Sequence, residues 1–388
     1  MDRLNQIKAN LAFTCRHERI PEPTADTDML FKYARWLEKN NQLKRDPAVY
    51  AEIERLYRIA AENGHAKANI NLQNGSMRGR KYQLTGEENL RLSQQLIDIG
   101  VATGYYFVGI FLDQGSAGLR EDKEMALRYY RKAADEGSAN AQAHVADKLA
   151  PSDRAPDIAR QMRRCAAEQG QGDAASDLGF DLQESQQYQE AREAFQLGVA
   201  AGDEGSAYAL ELHFRSSNTS LGQQKDLERA GRYEKIWNIL ADYSYASPKV
   251  PEINDILPLP PAKLPPWDGK LQWVEERKAN IPPPKPSEAL IEQLAKAKQL
   301  NPATGRPTPQ SPNFVRQEAS LFCESDQPCP QAGYWAAQSY WSQEVRYFKK
   351  GDILPRCWGK DFEPRIWPLP DKMVDREWII KWAHVGEA

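Results

Sequence analysis

The chain has 388 residues, of which 41% are hydrophobic and 27% are charged, and its formal net charge is −3. These values are typical of a globular protein that is large enough for more than one folding unit. The weakly acidic balance disfavours a general nucleic-acid or anionic-membrane binder, and the sequence has no run of about 18 apolar residues that would predict a membrane span.

Residues 1–29 are interpreted as an irregular N-terminal extension, and amphipathic helices follow it. Leu30, Tyr33, Ala34 and Leu37 have the i, i+3, i+4, i+7 spacing of one apolar helix face. In the next helix Asp46 is suited to the N-cap and the following proline to the first helical position. The sequence therefore predicts a pair of helices at the start of the chain.

A short phrase then recurs along residues 30–215, in which an alanine-rich helix end is followed by a glycine and a small-residue helix start. Its copies include "AAENGHAKA", "KAADEGSANAQA" and "AAEQGQGDAA", and the glycines recur at intervals of 32–37 residues. This period predicts stacked two-helix repeats, because a single hairpin cannot bury both of its faces. The predicted turn glycines are Gly64, Gly100, Gly137, Gly170 and Gly202.

One copy, "YYFVGIFLDQGSAGLREDKEMALRYYRKAADEG", resembles a complete Sel-one-like repeat, a relative of the tetratricopeptide hairpin. The matching positions are Gly109, Gly115, Gly118, Asp122, Ala126, Tyr130, Ala133, Ala134 and Gly137. The resemblance implies a mainly α fold, a right-handed α-solenoid of helix-turn-helix repeats. Such a solenoid offers a groove that binds peptides or folded partners.

Residues 216–300 are predicted to form a capping helix and a proline-rich arm. Proline blocks both helix and central strand, so an extended or polyproline II form is predicted for "SPKVPEINDILPLPPAKLPPWDGKLQW". The apolar content is too high for a free linker, so we expect the arm to pack along the repeats. This part is similar to a domain of unknown function that often follows Sel-one-like repeats in proteobacterial proteins. The apolar residues are Ile253, Ile256, Leu257, Leu259, Leu264, Trp267 and Trp273.

The C-terminal part, residues 314–388, is predicted to be a small Trp-rich antiparallel β module, which follows a linker over 301–313. It contains six of the ten tryptophans of the chain. "EVRYFKKGDIL" predicts two strands joined by a turn at Gly351, and "RIWPLP" and "REWIIKWAHV" predict further strands. Most of these tryptophans are expected to form the core of the module, since a domain of about 75 residues needs large side chains for stability.

The five cysteines give one predicted pair, a disulfide between Cys323 and Cys329. The spacing of "CESDQPC" can close a small loop, and its Pro and Asp suit a turn. Metal binding is disfavoured there, because no histidine or further cysteine pair lies nearby in the sequence. No pairing is predicted for Cys15, Cys165 or Cys357.

The sequence contains no zinc-binding H-E-x-x-H helix, Walker-A loop or dinucleotide fingerprint, so it predicts a protein that is not an enzyme and binds no cofactor and no metal. The predicted activity is therefore the binding of another protein. Aromatic side chains dominate the energetics of such surfaces. The candidate partner-binding residues are Tyr105, Tyr106, Tyr334, Trp335, Trp341, Tyr347, Trp358 and Trp367.

Proteins with this architecture, Sel-one-like repeats followed by the proline-rich arm, resemble immunity proteins encoded beside type VI secretion effectors, especially phospholipase toxins. The resemblance implies a protein that neutralises one cognate toxin by covering it. The alternative is a cytoplasmic adaptor or chaperone that loads an effector onto the secretion machinery. We expect a periplasmic location if a signal peptide was removed, and a cytoplasmic one otherwise.

Overall fold

The computed structural model describes residues 11–79, 81–151, 154–216, 225–314, 321–339, 342, 344–363 and 372–386. These residues form fifteen α-helices and six β-strands. None of the described helices has both the length and the apolar character needed to cross a membrane.

The first eleven helices form the stack of hairpins predicted from the glycine spacing, and each packs against the next along the chain. The right-handed twist expected for this stack of helices stays a prediction. The helices are α1 (Ala25–Asn41), α2 (Pro47–Glu62), α3 (Ala66–Gly79), α4 (Gly86–Asp98), α5 (Thr103–Gln114), α6 (Lys123–Asp135), α7 (Ala139–Leu149), α8 (Pro156–Glu168), α9 (Gly172–Glu184), α10 (Tyr188–Ala201) and α11 (Glu204–Arg215).

Local sequence fixes where these helices begin and turn. The Asp46 carboxylate accepts a hydrogen bond from the backbone N–H of Ala48 at 2.8 Å, and Pro47 is the first residue of α2. The alanine pairs that precede several turns, such as Ala133 and Ala134, are buried where the helices meet. The five turn glycines have φ between +77° and +111°, a region that favours glycine.

The N-terminal segment, residues 11–24, has no regular secondary structure and runs along three successive glycine turns. Thr103 at the start of α5 donates its backbone N–H (2.5 Å) and its hydroxyl (2.9 Å) to the Glu18 carboxylate, which caps that helix from outside. Gln142 of α7 donates to the Arg16 carbonyl at 2.9 Å. A disulfide joins Cys15 to Cys165 of α8.

The predicted Cys323–Cys329 disulfide is wrong, because both thiols are free in the structure and the bond forms across 150 residues of sequence instead. Each thiol faces a backbone carbonyl. The Cys329 thiol donates to Gln331 at 3.0 Å, and the Cys323 thiol approaches Pro328 at 3.8 Å. Sequence proximity favoured the short loop, whereas the fold brings together residues far apart in the chain.

The arm packs on the last repeats, as predicted. After α12 (Leu227–Asp242), the chain passes the Gly202 turn, where the backbone N–H of Val250 donates to the Ala200 carbonyl at 3.0 Å. The prediction of a wholly extended arm is wrong here, because the proline-free stretch between Pro251 and Pro258 forms the short helix α13 (Ile253–Ile256). Ile253 and Leu257 are buried in the core of α9–α12. The other predicted apolar residues of the arm pack against that core, each partly buried: Ile256, Leu259, Leu264, Trp267 and Trp273.

The arm then returns to the first repeat through α14 (Gln272–Ala279) and α15 (Glu288–Ala297). Arg277 donates to Gln42 at 3.1 Å, and the side chains of Asn280 and Asn40 form a hydrogen bond at 2.8 Å. Ile291 of α15 is buried in the same core as α1 and α2. The arm therefore connects the last repeats to the first.

Residues 301–308, the start of the predicted linker, are anchored on α2. Arg55 donates to the Pro302 carbonyl at 2.6 Å. A Cβ on Gly305 would lie 2.8 Å from the Arg55 carbonyl oxygen, so the chain approaches the helix closely at this point. This part of the predicted linker therefore follows a tight, irregular path over the helix surface. Loop-forming residues suit such a path as well as they suit a free linker.

The C-terminal residues form an antiparallel β module, as predicted, with two sheets. One has the strand order β1 (Phe322–Glu324), β6 (Lys381–Gly386), β2 (Gly333–Gln338), β3 (Val345–Phe348). The other pairs β4 (Cys357–Glu363) with β5 (Lys372–Trp378). Gly351 forms the predicted turn with φ +93°. The strand predicted after it is wrong, because "DIL" contributes only an isolated bridge between Ile353 and Pro328. The strand predicted at "RIWPLP" lies outside the described residues.

Candidate partner-binding surface

Two of the candidate residues, Tyr105 and Tyr106, lie on α5 and are half-buried against α6 of the same repeat. The ring of Tyr106 is 5.7 Å from that of Tyr130, and the ring of Tyr105 is 6.2 Å from that of Tyr129. Lys132 lies over the Tyr105 ring at 5.8 Å. Both tyrosines therefore contribute to packing between α5 and α6, and no described contact joins them to the β module.

Tyr334 and Trp335 are buried, which corrects their prediction as partner-binding residues. Trp335 is 0% exposed and donates its indole N–H to the Gln331 carbonyl at 3.1 Å. Tyr334 points to the opposite face of β2, where its ring meets those of Phe314 and Tyr347. Both faces of this strand are covered, so neither side chain is available to a partner.

Tyr347 and Trp358 are exposed, whereas Trp341 and Trp367 lie outside the described residues. Trp358 is the more accessible, at 64% exposure. It lies on β4 directly opposite Glu377 of β5. Residues opposite each other in an antiparallel pair share a face, so Trp358 lies on one face of this ribbon and Trp378, which is paired with Cys357, lies on the other.

Trp358 lines a cavity of about 240 Å³ between the start of β4 and the larger sheet. The buried Trp382 also lines it, and donates its indole N–H to the Pro355 carbonyl at 2.9 Å. The polar and charged residues of the lining include Ser342, Glu344, Arg346 and Arg356. The cavity thus combines an accessible indole with two cations.

The two arginines are held in place by acidic neighbours and keep half of their side-chain surface open. Arg346 binds Glu344 at 2.6 Å, and Arg356 binds Asp326 at 2.7 Å. Hydrogen bonding to these carboxylates raises the pKa of both guanidinium groups. Arg can still present its remaining N–H donors and its planar face to a carboxylate or an aromatic ring of a partner.

Sequence reasoning found Trp358 but missed Arg346 and Arg356. They come from β3 and from the segment before β4, and only the fold brings them together around the indole. Further exposed apolar side chains of the module are Phe322, Ile353, Met373 and Ile379.

A larger cavity, of about 810 Å³, lies between the first repeat and residues 303–306. Its charged lining residues include Arg45, Lys81, Glu54 and Arg306. Arg306 donates to Gln83 at 3.2 Å and lies 3.9 Å from Glu54. Arg45 and Lys81 add positive charge at the edge of this cavity, so it suits an acidic group of a partner better than a basic one.

One group of described side chains has metal-ligand character: Cys15, His17 and Cys165. Their ligand atoms all lie within 4.8 Å of one another. In this structure the two sulfurs are joined as the disulfide.

Comparison with known proteins gives a domain family and several similar structures. Residues 206–308 match a domain of unknown function, DUF6396, which spans the last repeat helix, the arm and its anchor on α2. None of the curated proteins compared with the chain matches it.

Among solved structures, the chain is similar to two immunity proteins from Pseudomonas aeruginosa. For PA5088 the TM-score is 0.51 at 24% identity, over 64% of this chain and 94% of that one. For Pa5087 the TM-score is 0.50 at 24% identity, over 64% of this chain and 95% of that one. A Sel1 repeat protein from Oxalobacter formigenes has a TM-score of 0.41 at 18% identity, over 55% and 87% of the two chains. The two immunity proteins share the fold of this chain over nearly their whole length.

Proposed function

We propose that this protein is an immunity protein, which binds one cognate secreted toxin and neutralises it by covering its active site. The observation that carries the proposal is the fold shared with two immunity proteins over 94% and 95% of their chains. In this proposal the protein acts by binding the toxin and catalyses no reaction of its own.

We further propose that the toxin is a type VI secretion effector of the phospholipase type, and that neutralisation takes place in the periplasm. The toxin class follows from the resemblance of the repeats and proline-rich arm to proteins encoded beside such effectors. The compartment is supported by the Cys15–Cys165 disulfide, because disulfides persist in oxidising compartments and are rare in the cytosol.

The β module supplies the contact surface that we assign to the toxin. Trp and Arg are enriched among residues that carry most of the binding energy in protein interfaces, particularly around pockets. The Trp358 cavity, with Arg346 and Arg356, has this composition. We expect an aromatic or acidic side chain of the toxin to enter it.

The proposal is tested with the lipase-type effector encoded nearest to the gene for this chain. The two proteins are mixed at increasing ratios, and complex formation and phospholipid hydrolysis are measured together. We expect hydrolysis to fall in proportion to the complex formed. A complex in which hydrolysis continues unabated would overturn the immunity function and support the adaptor alternative.

Trp358→Ala should weaken the complex, with Trp378→Ala as the matched control. Both tryptophans lie on the β4–β5 ribbon, but on opposite faces. We expect the Kd of Trp358→Ala to rise about 30-fold, equivalent to about 2 kcal/mol, and that of Trp378→Ala to stay within about threefold of the wild-type value. Titration calorimetry measures both values, and equal losses would exclude the Trp358 face as the contact surface.

A further inference from the structure

Four side chains with metal-ligand chemistry face one another where the N-terminal segment crosses α8. Cys15 and His17 are two residues apart on an extended chain, so their side chains lie on the same side of it. Cys165 and Glu168 are three residues apart on α8 and share one helix face. Cys15, His17 and Cys165 form one close group, and Glu168 adjoins it through His17.

The distances between these groups are short. The two sulfurs and a ring nitrogen of His17 lie within 4.8 Å of one another, and Nε2 of His17 is 3.4 Å from Oε2 of Glu168. Cys165 is buried, whereas the other three residues are exposed. Cys165 is therefore enclosed by the protein, whereas the exposed side of the group is open to an incoming ion.

Contacts other than the disulfide hold the N-terminal segment in this position. Before Cys15, Arg131 donates to the carbonyls of Leu11 and Ala12 at 3.1 and 2.7 Å. After it, the backbone N–H of Glu18 donates to Gln169 at 2.9 Å, and the Glu18 carboxylate caps α5. Opening the sulfur–sulfur bond therefore leaves Cys15 and His17 beside Cys165 and Glu168 of α8.

Two thiolates, an imidazole and a carboxylate form a ligand set that suits Zn²⁺. Zinc binds sulfur at about 2.3 Å and nitrogen or oxygen at about 2.0–2.2 Å in tetrahedral geometry, which places neighbouring ligand atoms roughly 3.3–3.8 Å apart. The exposed Cys15 and His17 can reach these positions by side-chain rotation.

We propose that Cys15, His17, Cys165 and Glu168 form a zinc site when the Cys15–Cys165 disulfide is reduced. A dithiol reductant breaks the sulfur–sulfur bond, delivers two electrons and two protons, and is itself oxidised to a disulfide. Zn²⁺ then displaces the two thiol protons and bonds to both sulfurs, to Nε2 of neutral His17 and to the Glu168 carboxylate. The N-terminal segment is thus fastened to α8 by a covalent bond under oxidising conditions and by a metal ion under reducing conditions.

The test uses the full chain and Co²⁺ as a spectroscopic probe, followed by displacement with Zn²⁺. The protein is reduced with tris(carboxyethyl)phosphine, which is oxidised to its phosphine oxide with water as the source of oxygen and protons. We expect the reduced protein to bind about one Co²⁺ at this site, with thiolate-to-cobalt charge-transfer bands and intense tetrahedral d–d bands that Zn²⁺ removes. The oxidised protein should show neither set of bands.

Cys15→Ser and His17→Ala test two of the proposed ligands, and Arg16→Ala is the matched control. The thiols of Cys323, Cys329 and Cys357 are present in all of these proteins, so differences from the wild type isolate the proposed site. In the reduced state Cys15→Ser should lose the bands, His17→Ala should bind Co²⁺ at least about tenfold more weakly, and Arg16→Ala should match the wild type.

Three results would overturn the zinc site: equal Co²⁺ spectra for reduced wild type and Cys15→Ser, the same bands in the oxidised protein, or unchanged affinity in His17→Ala. Circular dichroism of each variant confirms that the fold is intact. The site is independent of toxin binding, so its failure would leave the proposed function unaffected.

Discussion

Gly137 and Gly64 both adopt positive φ at repeat turns, but their surroundings differ. A Cβ on Gly137 would lie 2.7 Å from the Glu18 backbone nitrogen and 2.7 Å from the His17 carbonyl carbon. Apart from the chain neighbours of Gly64, no atom of the described residues lies within 4 Å of the equivalent position there. Gly137 is therefore required by the backbone conformation and also by the passage of the N-terminal segment.

This difference predicts unequal effects of the same substitution. Gly64→Ala should lower the free energy of unfolding by about 1–2 kcal/mol, the cost of placing alanine in a left-handed conformation. Gly137→Ala should cost about 1–2 kcal/mol more, because the N-terminal segment must also shift. Urea denaturation of the two variants measures the difference, and equal losses would mean that the segment adapts without cost.

The glycine spacing predicted the turns, but not what lies against them. A repeat period reports how hairpins stack, whereas the N-terminal segment meets Gly137 through contacts that have no period.

The tryptophans of the β module show a similar limit of prediction from sequence. Alternation predicts which side chains share a face of a strand, yet both faces of β2 are covered, and this depends on Phe314 and on the neighbouring strands. Trp335 and Trp358 therefore could not be separated by sequence alone.

At the scale of elements, the arm was predicted to pack because it is too apolar for a free linker. The prediction did not extend to its return to the first repeat, since proline-rich sequence gives stiffness and extension but no direction. The contacts that fix its direction are the hydrogen bonds of Asn280 and Arg277 with α1 and its end, and the burial of Ile291 against α2.

Ile291→Ala tests how firmly the arm is attached, and Ile281→Ala is the matched control. Ile291 is buried in the core of the first repeat, whereas Ile281 is 80% exposed. We expect Ile291→Ala to destabilise the protein by about 2–4 kcal/mol and Ile281→Ala to change stability by less than about 0.5 kcal/mol. Chemical denaturation measures both, and a small effect at Ile291 would mean that α15 contributes little to the stability of the repeats.

At the scale of the whole molecule, the arm changes how the repeats depend on one another. In an open repeat array each unit contacts only its neighbours, so the ends can unfold separately. Here the arm packs on α9–α12 and on α1–α2, and the disulfide joins the N-terminal segment to α8. Loss of either end therefore removes contacts at the other.

We accordingly expect the first and last repeats to unfold together. In native-state hydrogen exchange, the most protected amides of α2 and of α11 should open with the same free energy, equal to that of global unfolding. If α2 opens at a free energy well below that of α11, the repeats unfold independently and the arm does not couple them.

The return of the arm also has a consequence for synthesis on the ribosome. The core of α1 and α2 is completed by α15, which is translated much later. At about 5–20 residues per second, the 225 residues between Glu62 at the end of α2 and Glu288 at the start of α15 take about 10–45 s to emerge. During this time the part of the first hairpin's apolar surface that α15 later covers stays exposed to solvent. This interval is the period in which a nascent chain of this architecture most needs a chaperone.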